Sequence, residues 1–210
     1  MDLDTLFDNI KAYIDDVEKV YINKYLAKPL AKPDDYDLDV KTYCILCHAA
    51  FEEFVEEIAL EVLEKTINNY INTKKITIAL VNLLHFKSNG SKILDNKEYE
   101  NSTFPIFDYC RKSLEEIKII VSNEIDNNHG VSLKYLNKIL IPVGIEIPRE
   151  VVLLESLKKL ALERGEYAHR RKEKDKKTFK KSLSPEESKN TVKDCLKLFE
   201  EIKNRAKSLL

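Results

Sequence analysis

Arg164-Gly165-Glu166-Tyr167-Ala168-His169 is the stretch of this chain best suited to chemistry, and Arg170 and Arg171 follow it directly. A guanidinium can hold a phosphate bidentately and stabilise charge that builds on it. A histidine titrates near neutrality and can take or give a proton. With Leu157 as zero on a helical wheel, Leu153, Leu154, Leu160, Ala161, Tyr167 and Ala168 fall within about 80° of it, and Arg164 within about 20°. Burying an unpaired charge costs several kcal/mol. Arg164 must therefore be paired, open onto a cleft, or face a partner subunit. A phosphate site is the reading to test first.

Five residues of continuous helix rotate about 140°, which turns Arg164 and His169 apart. Gly165, a weak helix former, can loosen the backbone there. Alternatively, two copies of the motif meet across a dimer and line one cleft. The run Arg170, Arg171, Lys172, Lys174, Lys176, Lys177, Lys180 and Lys181 is interrupted by Glu173 and Asp175. It is either an ordinary charged loop or a contact for a phosphate backbone.

Other constellations are weaker. Cys44-Ile45-Leu46-Cys47-His48 matches a haem-attachment pattern. All three ligand-type residues, however, lie on the apolar stripe of a long helix, where small thiols are ordinary core, and Met1 is the only methionine available as an axial ligand. A zinc site needs four ligands, and no second pair accompanies these three. Neither a metal nor a cofactor is expected. His85, in an apolar segment, reads as structural, and His129 as a residue that shapes the turn before Gly130. Glu52 sits about 100° from Phe51 on the wheel. It reads as part of a solvated face or, alternatively, as a partner for Arg164 across the bundle.

The elements that must position these residues read as helices. Leu3, Phe7, Ile10, Ile14, Val17 and Tyr21 mark an amphipathic first helix. Pro29, Pro33 and Asp34-Asp35 break it, and a long helix runs from about Asp37 to Ile71. Lys74 to Phe86 is apolar and allows either a strand or a helix; helix is preferred. Ser88-Asn89-Gly90-Ser91 opens a polar loop reaching about Thr103. A helix from Ile106 to Ile125 ends at the turn Asn127-Asn128-His129-Gly130. Ser132 to Leu140 is a short helix, Pro142 to Pro148 a connector, and Arg149 to His169 the arginine-bearing helix. Residues 170–182 read as a charged loop. Ser184-Pro185-Glu186-Glu187 is a capping box with proline at the first helical position. It starts a last helix carrying Val192, Cys195, Phe199, Ile202, Ala206 and Leu209. The two terminal helices share a 3-4 spacing and can pack antiparallel.

Composition sets outer limits. The chain has 210 residues, 43% of them hydrophobic, with only 4 glycines and 6 prolines. This favours an all-α, elongated bundle over a loop-rich β protein. The net charge of −1 gives no global basic field, so nucleic-acid binding must use a local patch. No apolar run approaches the roughly 18 residues of a membrane span, and the acidic start Met1-Asp2-Leu3-Asp4 does not fit a secretory signal. A cytoplasmic location with no membrane partner is expected, and the four cysteines then read as reduced thiols.

With these residues in view, the sequence resembles the HEPN family, α-helical domains marked by an arginine, four to six residues, and a histidine near the end of an internal helix. The resemblance is closest to the RiboL-PSP-type group. Phe51-Glu52 matches its aromatic-Glu pair, Asn128-His129-Gly130 its Asn-x-Gly turn, and Gly144-Ile145 its Gly-Ile connector. The hexamer ending at His169 matches its Arg-Gly-x-x-Ala-His motif. It covers about residues 40–205 and departs from the commoner family pattern at Gly165, where a polar residue often follows the arginine. It implies one HEPN-like domain over residues 1–210, with an N-terminal helix and linker over 1–36.

The resemblance further implies a metal-independent endoribonuclease acting as a homodimer through the motif region, toxin-like or defence-associated, with RNA, tRNA included, as substrate. An antitoxin or associated defence protein is the implied partner. Arg164 and His169 would be catalytic, Glu52, Glu166 and Tyr167 supporting, and Arg170, Arg171, Lys172 and Lys174 phosphate-binding. The competing expectations are a non-catalytic RNA- or nucleotide-binding or scaffolding module, and a structural bundle in which Arg164 forms an internal ion pair.

Overall fold

The computed structural model describes residues 2–28, 31–87, 106–169 and 183–210, apart from the side chains of residues 86, 87 and 166–169. Among the described residues the regular structure is helical, with no strand. In chain order the helices are α1 (Leu3–Tyr21), α2 (Asn23–Leu26), α3 (Pro33–Thr73), α4 (Ile78–Lys87), α5 (Ile106–Asp126), α6 (Leu133–Leu140), α7 (Val151–His169) and α8 (Pro185–Leu209). The expected all-α architecture is thus the observed one. The expected loops over 88–103 and 170–182 lie outside the described residues.

α3 is the axle of the fold. Its 41 residues span about 60 Å at 1.5 Å per residue, and α1, α5, α7 and α8 all pack on it. It starts at Pro33, a turn earlier than expected. The proline that reads as a breaker occupies the first helical position, where its missing N–H costs nothing. Asp35 Oδ2 accepts from the Lys32 backbone N–H at 2.9 Å. The helix ends where Lys74 adopts a left-handed φ of 58° and its N–H returns to the Tyr70 carbonyl at 2.8 Å.

The core is densest where α1, α3 and α8 meet. Phe51 of α3 stacks on Phe199 of α8 with centroids 4.5 Å apart, and Phe7 of α1 meets Phe54 at 5.7 Å. The terminal helices run antiparallel, as expected. Asp4 pairs with Lys203 at 3.0 Å and with Lys207, while at the other end Glu18 holds Lys189 at 2.8 Å. The chief partner of α1 is nonetheless α3. The capping box of α8 forms as read: Ser184 Oγ accepts from the Glu187 N–H at 3.2 Å, and Glu187 Oε2 from the Ser184 N–H at 2.9 Å.

The ambiguous apolar segment is helical over Ile78–Lys87. Ala79, Leu80 and Leu83 are buried while Ile76, Ile78 and Val81 are exposed, a helical and not an alternating pattern. His85, in this apolar segment, lies on its exposed side.

α5, the Asn128–Gly130 turn, α6 and the connector to α7 follow the expected order. α7 is continuous through Gly165. The expectation that this glycine loosens the backbone is therefore corrected: position 169 follows position 164 about 140° round an unbroken helix. No described helix is long and apolar enough to cross a membrane.

Candidate functional site

α3 carries His48, Glu52 and Glu56 four residues apart, which places them in one row along the helix. Two other elements close on this row. The C-terminal part of α7 brings Arg164, and the turn after α5 brings Asn128, His129 and Gly130.

His48 is the floor of the cleft, with only 3% of its surface exposed. Its Nδ1 lies 3.7 Å from Glu52 Oε2, beyond direct hydrogen-bond reach. Burial, and secondarily the positive charge of Arg164, pull its pKa down to about 4, so the ring is neutral at pH 7. The other edge of the ring faces Gly130. A Cβ at Gly130 would stand 3.4 Å from His48 Cε1 and 3.5 Å from Nε2, and the backbone there has a φ of +149°. Only glycine takes that conformation at little cost. The turn can thus approach the imidazole because residue 130 has no side chain.

Asn128 fixes the same turn. Its Nδ2 donates to Glu56 Oε1 at 2.9 Å and to the Gly130 carbonyl at 3.1 Å. The asparagine is buried, and its Oδ1 has no hydrogen-bond partner. The loop-shaping role expected of His129 belongs to Asn128. His129 is exposed, and its charge is felt at Glu52.

Glu52 is half-buried between these groups. Burial first, then the neighbouring Glu56 carboxylate, raise its pKa above the ordinary carboxylate value, while Arg164 and His129 pull in the opposite direction. Glu52 is thus half-buried and not a plain solvated face, and no ion pair joins it to Arg164, whose charge reaches it only through its field. Arg164 is half-buried too. Among the described residues no carboxylate stands within ion-pair distance of it, and it reaches Glu52 and His48 through its field. The internal ion pair of the purely structural expectation is absent among those residues. Arg164 thus stands half-buried beside Glu52 and His48, with no ion-pair partner among the described residues.

The structure thus brings Arg164 and Glu52 to one place. Glu166, Tyr167 and His169 are on the last turns of α7, and their side chains lie outside the described residues, as do Arg170, Arg171, Lys172 and Lys174. Sequence reasoning missed His48, Glu56 and Asn128 as parts of the site. The available signal was the His-x-x-x-Glu-x-x-x-Glu spacing, which the nearby cysteines masked by making His48 look like core.

Those cysteines are core. Cys44, Cys47 and Cys195 are fully buried, and burial pushes the Cys44 thiol up to about 12 and the other two well above the ordinary range. Among the described residues no three His, Cys, Asp or Glu side chains group to hold a metal ion.

The fold and this cleft define a class, an α-helical domain with a cationic motif at the end of an internal helix. The family model described as RiboL-PSP-HEPN matches residues 2–208, and the chain belongs to that family. Comparison with curated proteins and with solved structures gave no match. Membership points to a nucleotide-related, ribonuclease-like role.

Proposed function

We propose that the protein is a metal-independent endoribonuclease whose Arg164 and His169 act on the scissile phosphate. The carrying observation is the half-buried Arg164 near the end of the motif helix, close enough to Glu52 and His48 for its charge to bear on both, in a chain of the HEPN family. A guanidinium there can hold the phosphate and stabilise its developing charge. His169 handles a proton, either the one leaving the 2′-hydroxyl or the one received by the 5′-oxygen. The products are a 2′,3′-cyclic phosphate and a 5′-hydroxyl, and DNA, with no 2′-hydroxyl, is not cut. Glu166 and Tyr167 support the motif, and Arg170, Arg171, Lys172 and Lys174 hold the RNA backbone. A toxin-like or defence-associated setting, with a restraining partner protein, accords with such an activity in the cytoplasm.

A homodimer through the motif helix fits the surface. Val151 and Val152 are 73% and 68% exposed at the start of α7, and Leu162 is 54% exposed near its end. A groove of about 520 Å³ lined by Leu133, Leu154, Ala161 and Leu162 runs along the same helix. Exposed apolar surface of this kind marks interaction sites. In this reading the Arg164 of one chain works with the His169 of the other, since the two positions diverge by about 140° along one helix. Leu162→Glu is expected to shift the protein to monomer in sedimentation and to lower cleavage with it. Retention of both dimer and activity would remove this face from the dimer contact.

The deciding experiment is an RNA cleavage assay in EDTA with wild type and His169→Ala matched for folding. Cleavage by wild type alone, leaving cyclic phosphate ends, supports the nuclease. The competing reading, a non-catalytic RNA-binding module, is favoured by Gly165, which supplies no polar side chain beside Arg164. It expects salt-dependent RNA binding without cleavage products.

A further inference from the structure

We propose that Glu52 is the proton acceptor for the 2′-hydroxyl in this site, that His48 is the residue that positions it, and that His169 is thereby left as the proton donor. The proposal rests on the ribonuclease reading and deepens it, since that reading leaves the two proton transfers unassigned.

The geometry carries it. Catalysis of this cleavage needs two proton carriers on a phosphate held by a cation. Among the described residues, Glu52 is the half-buried carboxylate that stands one helical turn from His48 and on which the Arg164 charge bears. His48 stands one helical turn before it, on the same row, with Nδ1 at 3.7 Å. A neutral imidazole at that range restricts where the carboxylate can sit without neutralising it. Glu56, one turn further on, is held away by the Asn128 amide and is not free to take the same place.

The charged and titratable groups that bear on Glu52 are His48 and Glu56 from its own helix, His129 from the turn and Arg164 from α7. Together they set a carboxylate that is more basic than an exposed one, with Arg164 and His129 opposing the rise. Asn128, buried with an unpartnered Oδ1, is a second polar group in this wall not accounted for by packing.

The reaction balances without any added reagent. The Glu52 carboxylate takes the 2′-hydroxyl proton as O2′ bonds to phosphorus. The bond from phosphorus to O5′ breaks, and the His169 imidazolium gives its proton to O5′. The cyclic phosphate and the 5′-hydroxyl leave, and exchange with water returns the proton from Glu52 to His169.

The test uses two substrates, an RNA oligonucleotide and a nucleoside 3′-(4-nitrophenyl phosphate), whose leaving group departs without a proton. Wild type, Glu52→Gln, His48→Gln and His169→Ala are compared across pH, each checked by circular dichroism and thermal melting. On RNA, Glu52→Gln is expected to lose 10²–10⁴-fold in kcat, the usual scale of general-base catalysis, and to lose the acid limb of the profile. On the nitrophenyl ester, His169→Ala is expected to recover most of its deficit, while Glu52→Gln stays impaired.

His48→Gln is expected to lower kcat with little change in KM, and to move the acid limb while keeping the alkaline one. A folded Glu52→Gln variant with a wild-type acid limb would overturn the proposal and leave the ribonuclease reading intact, as would rescue of Glu52→Gln instead of His169→Ala on the ester. An unchanged His48→Gln profile would remove the positioning role. Absence of cleavage by wild type on both substrates would take down the nuclease reading and this proposal together.

Discussion

Two blocks of α3, one turn apart, show what decides whether a buried polar row is inert or available for chemistry. Cys44 and Cys47 are fully buried, and burial is the chief cause that carries both thiols far out of the reactive range, with Glu163 adding to it at Cys44. His48, Glu52 and Glu56 face the end of α7 and the Asn128–Gly130 turn. There burial is partial along the row, and it is answered by a cation and an amide. The helix and its propensities are the same in both blocks. The difference lies in depth and in what packs opposite: the cysteines are sealed in the core, whereas Arg164 and a glycine turn stand against the row. Desolvation without a partner silences a group, and desolvation beside a charge tunes it.

The largest expected effect separates these blocks by activity. Arg164→Ala is expected to lower kcat/KM for RNA by 10²–10³-fold, the scale of removing one preorganised donor, with a melting temperature close to wild type because no ion pair to it is broken among the described residues. Cys44→Ala, on the same helix, is expected to cut RNA at nearly the wild-type rate and to lose some thermal stability instead. If Cys44→Ala abolished cleavage in a folded protein, the division between a dry block and a chemical block would be wrong.

Next comes the response to acid. Folding lowers the pKa of His48 from the usual 6.5 to about 4, so the native state prefers the neutral ring. Its contribution is fully present above pH 6.5 and drains away as pH falls towards 4. A shift of that size is worth on the order of 3 kcal/mol. Glu52 has the opposite sign: its raised pKa makes the charged form a cost that appears as pH rises through its native value. His48→Gln is therefore expected to flatten the fall in stability between pH 6.5 and 4, and Glu52→Gln to melt slightly higher than wild type at neutral pH. Urea unfolding at several pH values checks both, and a His48→Gln curve parallel to wild type would contradict the buried, neutral imidazole.

Much of this was legible in the residues, for reasons that differ by region. The α8 start was readable because Ser184, Pro185 and Glu187 act locally, and the packing stripe of α7 because Leu153, Leu157 and Leu160 repeat with the helical period. Arg164 stood out because its charge violates that period. Pro33 misled because its type fits a break and a helix start equally well, and only the hydrogen bond from Lys32 to Asp35 distinguishes them. The role of His48 was not readable, since it depends on Gly130 and Arg164, which are 82 and 116 positions away in the chain. A contact of that range leaves no local periodicity.

The smallest effects compare two glycines that flank the cleft. At Gly130, an alanine would adopt an unfavourable positive φ, with its Cβ in contact distance of the His48 ring. Such backbone strain costs about 1–3 kcal/mol, so Gly130→Ala is expected to lower stability by that amount and to impair cleavage by moving the imidazole. At Gly165 a Cβ would meet nothing within 4 Å, inside a continuous helix. Replacing a helical glycine by alanine typically gains about 0.5–1 kcal/mol, so Gly165→Ala is expected to melt higher in this protein. Its effect on cleavage is informative in itself. Unchanged turnover means that the missing side chain after Arg164 has no part in cleavage. Reduced turnover with raised stability means that the open space beside Arg164 is used, by the RNA or by the second copy, and that the departure from the commoner family pattern at Gly165 is part of how this site works.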